Sequence, residues 1–114
     1  MKVFIYFNLH RKLWSIKALQ GPDKGRVIGH TECFTVLDAE FKVSEAGRQR
    51  VLREKRKNVH AGVVGQLVGR TGHYLDKSVT YNPYKYNSFV DRQTEMPVYK
   101  ASVVTAVGRQ VTYQ

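Results

Sequence analysis

The sequence is poor in the features that stabilise small secreted domains or carry chemistry in small metalloproteins. It has one cysteine, Cys33, so no internal disulfide can form, and a reducing compartment is the expected setting. Only three prolines and one tryptophan occur, and no stretch is long and apolar. The longest apolar run is Val3 to Phe7, far short of the roughly 20 residues that span a bilayer, so no membrane association is expected. Strand-forming residues begin at Val3, with no charged and apolar leader before them, so no signal peptide is expected. Acids are scarce as well: nine Asp and Glu face 19 Lys and Arg, a formal net charge of +10. No CxxC, HxH or HExxH spacing occurs, and no cofactor or metal is expected. P-loop, Rossmann and G-x-S-x-G fingerprints are missing too. The histidine-x-threonine pairs of two-histidine phosphoesterases are also missing. Gly62–Gly65 lacks the basic middle residues of an RNA-clamping GxxG loop.

At 114 residues with 42% hydrophobic content, the chain suits a single domain, residues 1–114, with one core. Val3, Ile5, Phe7 and Leu9 alternate with Phe4, Tyr6, Asn8 and His10, and Trp14, Ile16 and Ala18 alternate with Leu13, Ser15, Lys17 and Leu19. That period of two predicts a hairpin, here with a two-residue turn at Arg11-Lys12 that pairs Leu9 with Trp14, Phe7 with Ile16 and Ile5 with Ala18. Short strands are expected at 26–30, 33–37 and 40–43. An extended segment is expected over 79–90, and a final hairpin over 98–107 and 110–113 around Gly108-Arg109. Residues 59–69 read as a strand rather than a helix, because three glycines would each cost a helix about 1 kcal/mol, while in a strand glycine marks close approach of another backbone or a ligand. Ser44 and Glu45 signal a helix start, and the helix is expected to run to Asn58. The fold class is therefore α+β: a mainly antiparallel sheet of about six or seven short strands with one basic amphipathic helix.

The positive charge is concentrated. Residues 48–60 hold six bases and one acid, and residues 1–20 hold four bases and no acid. Such a run raises the local population of anions. Arg50, Arg53 and Lys57 fall on one helical stripe, where arginine forks suit phosphate; a solvated face gives the same pattern. Tyr84, Lys85 and Tyr86 join a ring to a cation, as base-stacking surfaces do, although tyrosine also favours strands for packing alone. Asn8, His10 and Lys17 share the polar face of the first hairpin with Tyr6 and Ser15. His60 follows the basic run, and with His10 it is the only candidate for metal-free acid–base work beside a phosphate; a hydrogen-bonded structural histidine is the commoner outcome. Cys33 sits among apolar and acidic residues and reads as a structural thiol.

The segments FNLHRKLWSIKAL, EAGRQRVLREKRKNVHAGVVG and VTYNPYKYNSF resemble small uncharacterised proteins of tailed bacteriophages. That resemblance implies action in the host cytoplasm, on nucleotides, nucleic acid or host proteins, often against host defence. The leading expectation is a non-enzymatic binder of a phosphate-bearing nucleotide signal or nucleic acid, held by Arg50, Arg53, Lys57, His60, Tyr84, Lys85, Tyr86, Asn8, His10 and Lys17. Such a binder would suit a homo-oligomer, since one small domain has little room for both a core and a deep pocket. The alternatives are a general DNA- or RNA-binding protein of phage expression, an inhibitor docking on a host defence protein, and a small nucleotide hydrolase using His60 or His10.

Overall fold

The computed structural model describes residues 1–114. Nine strands form one antiparallel sheet: β1 (Lys2–Asn8), β2 (Leu13–Ala18), β3 (Val27–Thr31), β4 (Cys33–Val43), β5 (Ala61–Gly69), β6 (Lys77–Thr80), β7 (Val90–Asp91), β8 (Lys100–Val107) and β9 (Gln110–Tyr113). Their spatial order is β3-β2-β1-β5-β4-β8-β9-β6-β7. The single helix, α1, spans Glu45–Glu54. The strand count exceeds the expected six or seven. The segment 79–90 is not extended throughout: it divides around a turn at 82–86 into β6 and β7, four and two residues long, too short for alternation to register.

The sheet curls on itself. Only Glu32 separates β3 from β4, yet the two lie four strands apart in the order. A flat sheet would hold them about 19 Å apart at about 4.8 Å per strand, whereas two residue steps reach about 7 Å at most. The five strands β3-β2-β1-β5-β4 therefore wrap into an arc whose margins meet at Glu32. Trp14 occupies the closure. Its ring meets Phe7 and Phe34 edge-on, with centroids 5.2 and 5.1 Å away. Its indole N–H donates to the Gly108 carbonyl at 2.6 Å. Val3, Ile5, Ile16, Phe34, Val36 and Val104 are fully buried in the same core. No helix of the protein is long and apolar enough to cross a membrane.

The strand read as two pieces, 33–37 and 40–43, is continuous. Leu37 pairs with Gln66 and Glu40 with Val64, so Asp38 and Ala39 together oppose Gly65. Asp38 takes a left-handed conformation (φ 50°). This bulge moves the buried set from Phe34 and Val36 to Ala39 and Phe41, keeping both halves against the core.

The first hairpin is real, but its register differs by two residues from the expected one. Phe7 pairs with Trp14, Ile5 with Ile16 and Val3 with Ala18. Residues 9–12 form the loop, and Leu9 is exposed. The Asn8 side-chain oxygen accepts from the backbone N–H groups of His10 and Arg11, and Lys12 adopts a positive φ of 57°. An asparagine-led loop replaces the two-residue turn that Arg-Lys suits poorly.

Helix α1 starts where expected. Ser44 caps it by accepting from the Gly47 N–H at 3.2 Å. It stops four residues before Asn58, at a left-handed Lys55 (φ 54°). Beyond Glu54 there is no apolar residue before Val59, so nothing rewards another turn, and adjoining cations repel. Lys57 therefore lies in an irregular segment rather than on a helical stripe with Arg50 and Arg53.

At the far margin, Asp91 closes a turn. Its carboxylate accepts from the Gln93 and Thr94 N–H groups and from the Tyr113 hydroxyl at 2.8 Å. The Thr94 amide, followed by Tyr113, holds the Asp91 carboxyl below its ordinary range. Burial, then the carboxylate beside it, pushes Tyr113 up to about 12 from an ordinary 10.0. The raised tyrosine contributes stability that is complete below about pH 10 and lost as pH climbs toward 12, because the unfolded chain ionises first. Urea unfolding of the wild type and Tyr113→Phe between pH 7 and 11 is expected to show a steeper alkaline decline in the wild type. Parallel declines would contradict the assignment.

Candidate functional site

The seven residues Arg53 to Val59 are all exposed. Arg50 lies one helical turn from Glu54 and pairs with it at 3.4 Å. Arg53, Lys55, Arg56 and Lys57 form no ion pair. Four unpaired cations in five residues make this the most concentrated positive surface of the chain.

Arg48, on the first turns of α1, links this surface to the tyrosine-bearing turn. Its guanidinium donates through Nε to the carbonyls of Pro83 (2.9 Å) and Tyr86 (2.8 Å), and through an Nη to Glu45 (2.9 Å). Its side chain is only 16% exposed. The Gln49 amide, then Arg48, holds the Glu45 carboxyl below its ordinary range. The turn is fastened from within as well: Asn82 accepts the Tyr84 N–H on its side chain, and the Lys85 and Tyr86 N–H groups on its carbonyl.

The tyrosines in and beside this turn have different surroundings. Tyr86 donates its hydroxyl to Glu95, and Lys85 lies 3.4 Å from the same carboxylate and 5.3 Å from the Tyr86 ring centroid. Tyr86 and then Lys85 keep the Glu95 carboxyl below its ordinary range. Tyr81 turns inward, its ring 5.2 Å from Phe89. Tyr84 is 61% exposed, and its hydroxyl has no partner within the protein.

His60 leads into β5 and packs against α1, where a Cβ on Gly47 would sit 2.6 Å from the His60 Cβ. Its Nδ1 lies 2.8 Å from the Asn58 carbonyl, and its Nε2 lies 2.7 Å from the Tyr81 hydroxyl. A carbonyl only accepts, so Nδ1 carries a proton and donates to Asn58, while Nε2 shares a hydrogen bond with the Tyr81 hydroxyl. Both ring nitrogens are thus engaged in holding the basic segment to the sheet.

Arg50 and Arg53 thus lie on α1, Lys57 and His60 in the segment that follows it, and Tyr84, Lys85 and Tyr86 in the turn that Arg48 fastens to α1. Asn8, His10 and Lys17 do not join them through any hydrogen bond or ion pair. Asn8 instead donates to Ser15 (3.3 Å), which meets His30 Nδ1 at 2.9 Å. His10 is exposed in the hairpin loop, and Lys17 is half-buried on β2. Arg48 was legible only as one more charge, since its carbonyl partners lie 35 and 38 residues away. Sequence reading also missed a cleft of about 200 Å³ at the closure of the arc, lined by Lys12, Trp14, Glu32 and Arg109. There the Arg109 guanidinium lies 4.7 Å over Phe7, a contact between residues about a hundred positions apart. Cys33 is half-buried at the start of β4.

A family model described as Mycobacterium phage L5 gene 82 protein matches residues 1–114. The gene 82 protein of Mycobacterium phage L5 is 41% identical over 104 residues, covering 85% of this chain and 82% of the relative. No solved structure matches.

Proposed function

The chain belongs to the family of the Mycobacterium phage L5 gene 82 protein, and from that premise we propose that it is a phage accessory protein that binds nucleic acid without turning it over. The observation that carries the reading is the exposed run Arg53–Val59 with its four unpaired cations. This run lies on an outer surface, and none of it lines the cleft at Trp14. An exposed cationic strip meets a string of phosphates better than it encloses one nucleotide. His60 serves this reading as the residue that fixes the strip, through Asn58 and Tyr81.

The test is fluorescence anisotropy with labelled oligonucleotides over a salt series. Each engaged cation contributes about 0.7 to 0.9 to the slope of log affinity against log salt. The combined variant Arg53→Ala, Arg56→Ala, Lys57→Ala is expected to flatten the slope by about 2 to 3 and weaken binding at least about ten-fold at low salt. Unchanged binding would overturn the assignment of the strip. A single nucleotide signal, sequestered from a host sensor, would touch fewer phosphates. It would show itself as a shallow slope and tight binding of mono- or dinucleotides.

A further inference from the structure

We infer that the strip takes single-stranded rather than duplex nucleic acid, with a base stacked on Tyr84 and the flanking phosphates on the cations beyond α1. The inference rests on the nucleic-acid reading above and adds the strand form and the residue that selects it.

Of the three tyrosines in this region, one is free to meet a ligand. Tyr81 is engaged by His60 and Phe89, and Tyr86 by Glu95 and Lys85. Tyr84 presents a largely exposed ring from a turn that cannot readily move. Arg48 holds the two carbonyls that flank it, and Asn82 holds its backbone N–H. A ring on such a turn loses little conformational entropy when a base stacks on it. Stacking also needs no sequence-specific contact, because every base offers a π-face.

The cations follow on the element to which the turn is fastened. Arg53 comes five residues after Arg48, about 7.5 Å along the helix axis and about 140° around it, so a strand passing from Tyr84 to the cations bends round the end of α1, where Lys55 to Lys57 continue. The Lys85 ammonium beside Tyr84 is already paired with Glu95, which leaves the phosphate role to the strip. A duplex cannot use this arrangement. Its bases are stacked on one another and paired, so a projecting ring reaches only backbone. A single strand offers both a base face to Tyr84 and a flexible backbone that follows the curve from turn to strip.

Arg48 is a positioning residue here: it acts through the turn and is turned away from solvent. Its replacement is expected to alter strand preference while leaving the salt slope alone, which separates it from the cations of the strip.

The experiment measures affinity for a labelled oligo-thymidine and for a duplex of equal length at matched salt. The wild type is expected to prefer the single strand. Tyr84→Ala is expected to weaken single-strand binding about ten-fold and collapse the preference, without changing the salt slope. Tyr84→Phe is expected to retain the preference, and Arg48→Met to reproduce the loss seen with Tyr84→Ala. If Arg48→Met does not fold, the two Tyr84 variants decide the matter. Equal affinity for both strand forms in the wild type, or full single-strand affinity in Tyr84→Ala, would overturn this inference. With the slope still reduced by the triple alanine variant, that result would leave the nucleic-acid reading standing. Absence of binding to any oligonucleotide would overturn both.

Discussion

Trp14→Ala is expected to lower stability by about 3–5 kcal/mol, the range for emptying an aromatic site in a core. Domains of this size are typically stable by about 5–15 kcal/mol, so the variant loses a large share. Its thermal midpoint should fall by roughly 12–20 °C, at about 4 °C per kcal/mol. Three contributions are lost together. The ring is 8% exposed and packs edge-on against Phe7 and Phe34. It also supplies the N–H that the Gly108 carbonyl accepts. Trp14→Phe separates these effects. It keeps a ring and removes the donor, and Gly108 is exposed, so its carbonyl can turn to water; about 1 kcal/mol should go with the hydrogen bond, and more with the smaller ring. Far-UV circular dichroism during thermal unfolding reads both variants. A loss below 1 kcal/mol in Trp14→Ala would mean that something else keeps the arc closed.

Gly65→Val is expected to destabilise by about 3 kcal/mol, the upper range of core overpacking. A Cβ at this position would lie 2.8 Å from the Leu37 carbonyl oxygen and 3.3 Å from both Ala39 Cα and Val36 Cβ. Those atoms belong to the β4 bulge, which is hydrogen-bonded on both sides and cannot retreat cheaply. Strand propensity alone predicts the opposite sign, since glycine weakens an ordinary strand. Gly69, in the same strand, supplies the control: its nearest neighbour is the Thr71 hydroxyl at 3.8 Å, and its φ is unremarkable. Gly69→Ala should be neutral or slightly stabilising, while Gly65→Ala should already cost stability. If both alanine variants behaved alike in urea unfolding, the bulge would not be seated on Gly65.

The reading of Gly62 and Gly65 as points of close approach was available from sequence because three glycines in nine residues contradict both helix and ordinary strand. Gly62 abuts the Ile5 carbonyl and the Phe4 ring, as Gly65 abuts the bulge. The neighbours are the protein's own backbone and side chains, so these glycines explain folding rather than ligand contact. The final hairpin around Gly108 was legible for the same kind of reason: a positive φ of 59° at a glycine between alternating strands. The break between 37 and 40 was legible only as a gap between two short strands, not as a bulge within one, because a left-handed aspartate has no unique sequence mark.

The register of the first hairpin was not legible. A slip of two residues leaves every side chain on its original face, so alternation cannot detect it. Only the loop chemistry of Asn8 and Lys12 decides. The site was legible in its parts. A basic run and a tyrosine-rich segment stood out by composition, and both adjoin α1. Their connection was not, since it passes through one half-buried guanidinium and two backbone carbonyls. Backbone acceptors carry no residue identity, so no sequence pattern announces them.

The place of β8 in the sheet has a consequence for the chain during translation. β4 acquires its second neighbour only from β8, which begins at Lys100. Ribosomes add about 5–20 residues per second, so for several seconds β4 has β5 at most beside it, with Phe34 and Val36 uncovered on that flank. The indole bond to Gly108 spans 94 positions and must wait for the final hairpin to emerge. Nascent chains arrested shortly after residue 69 should therefore associate or recruit chaperones, and folding should be slow for so small a protein, as it is for others dominated by distant strand pairing.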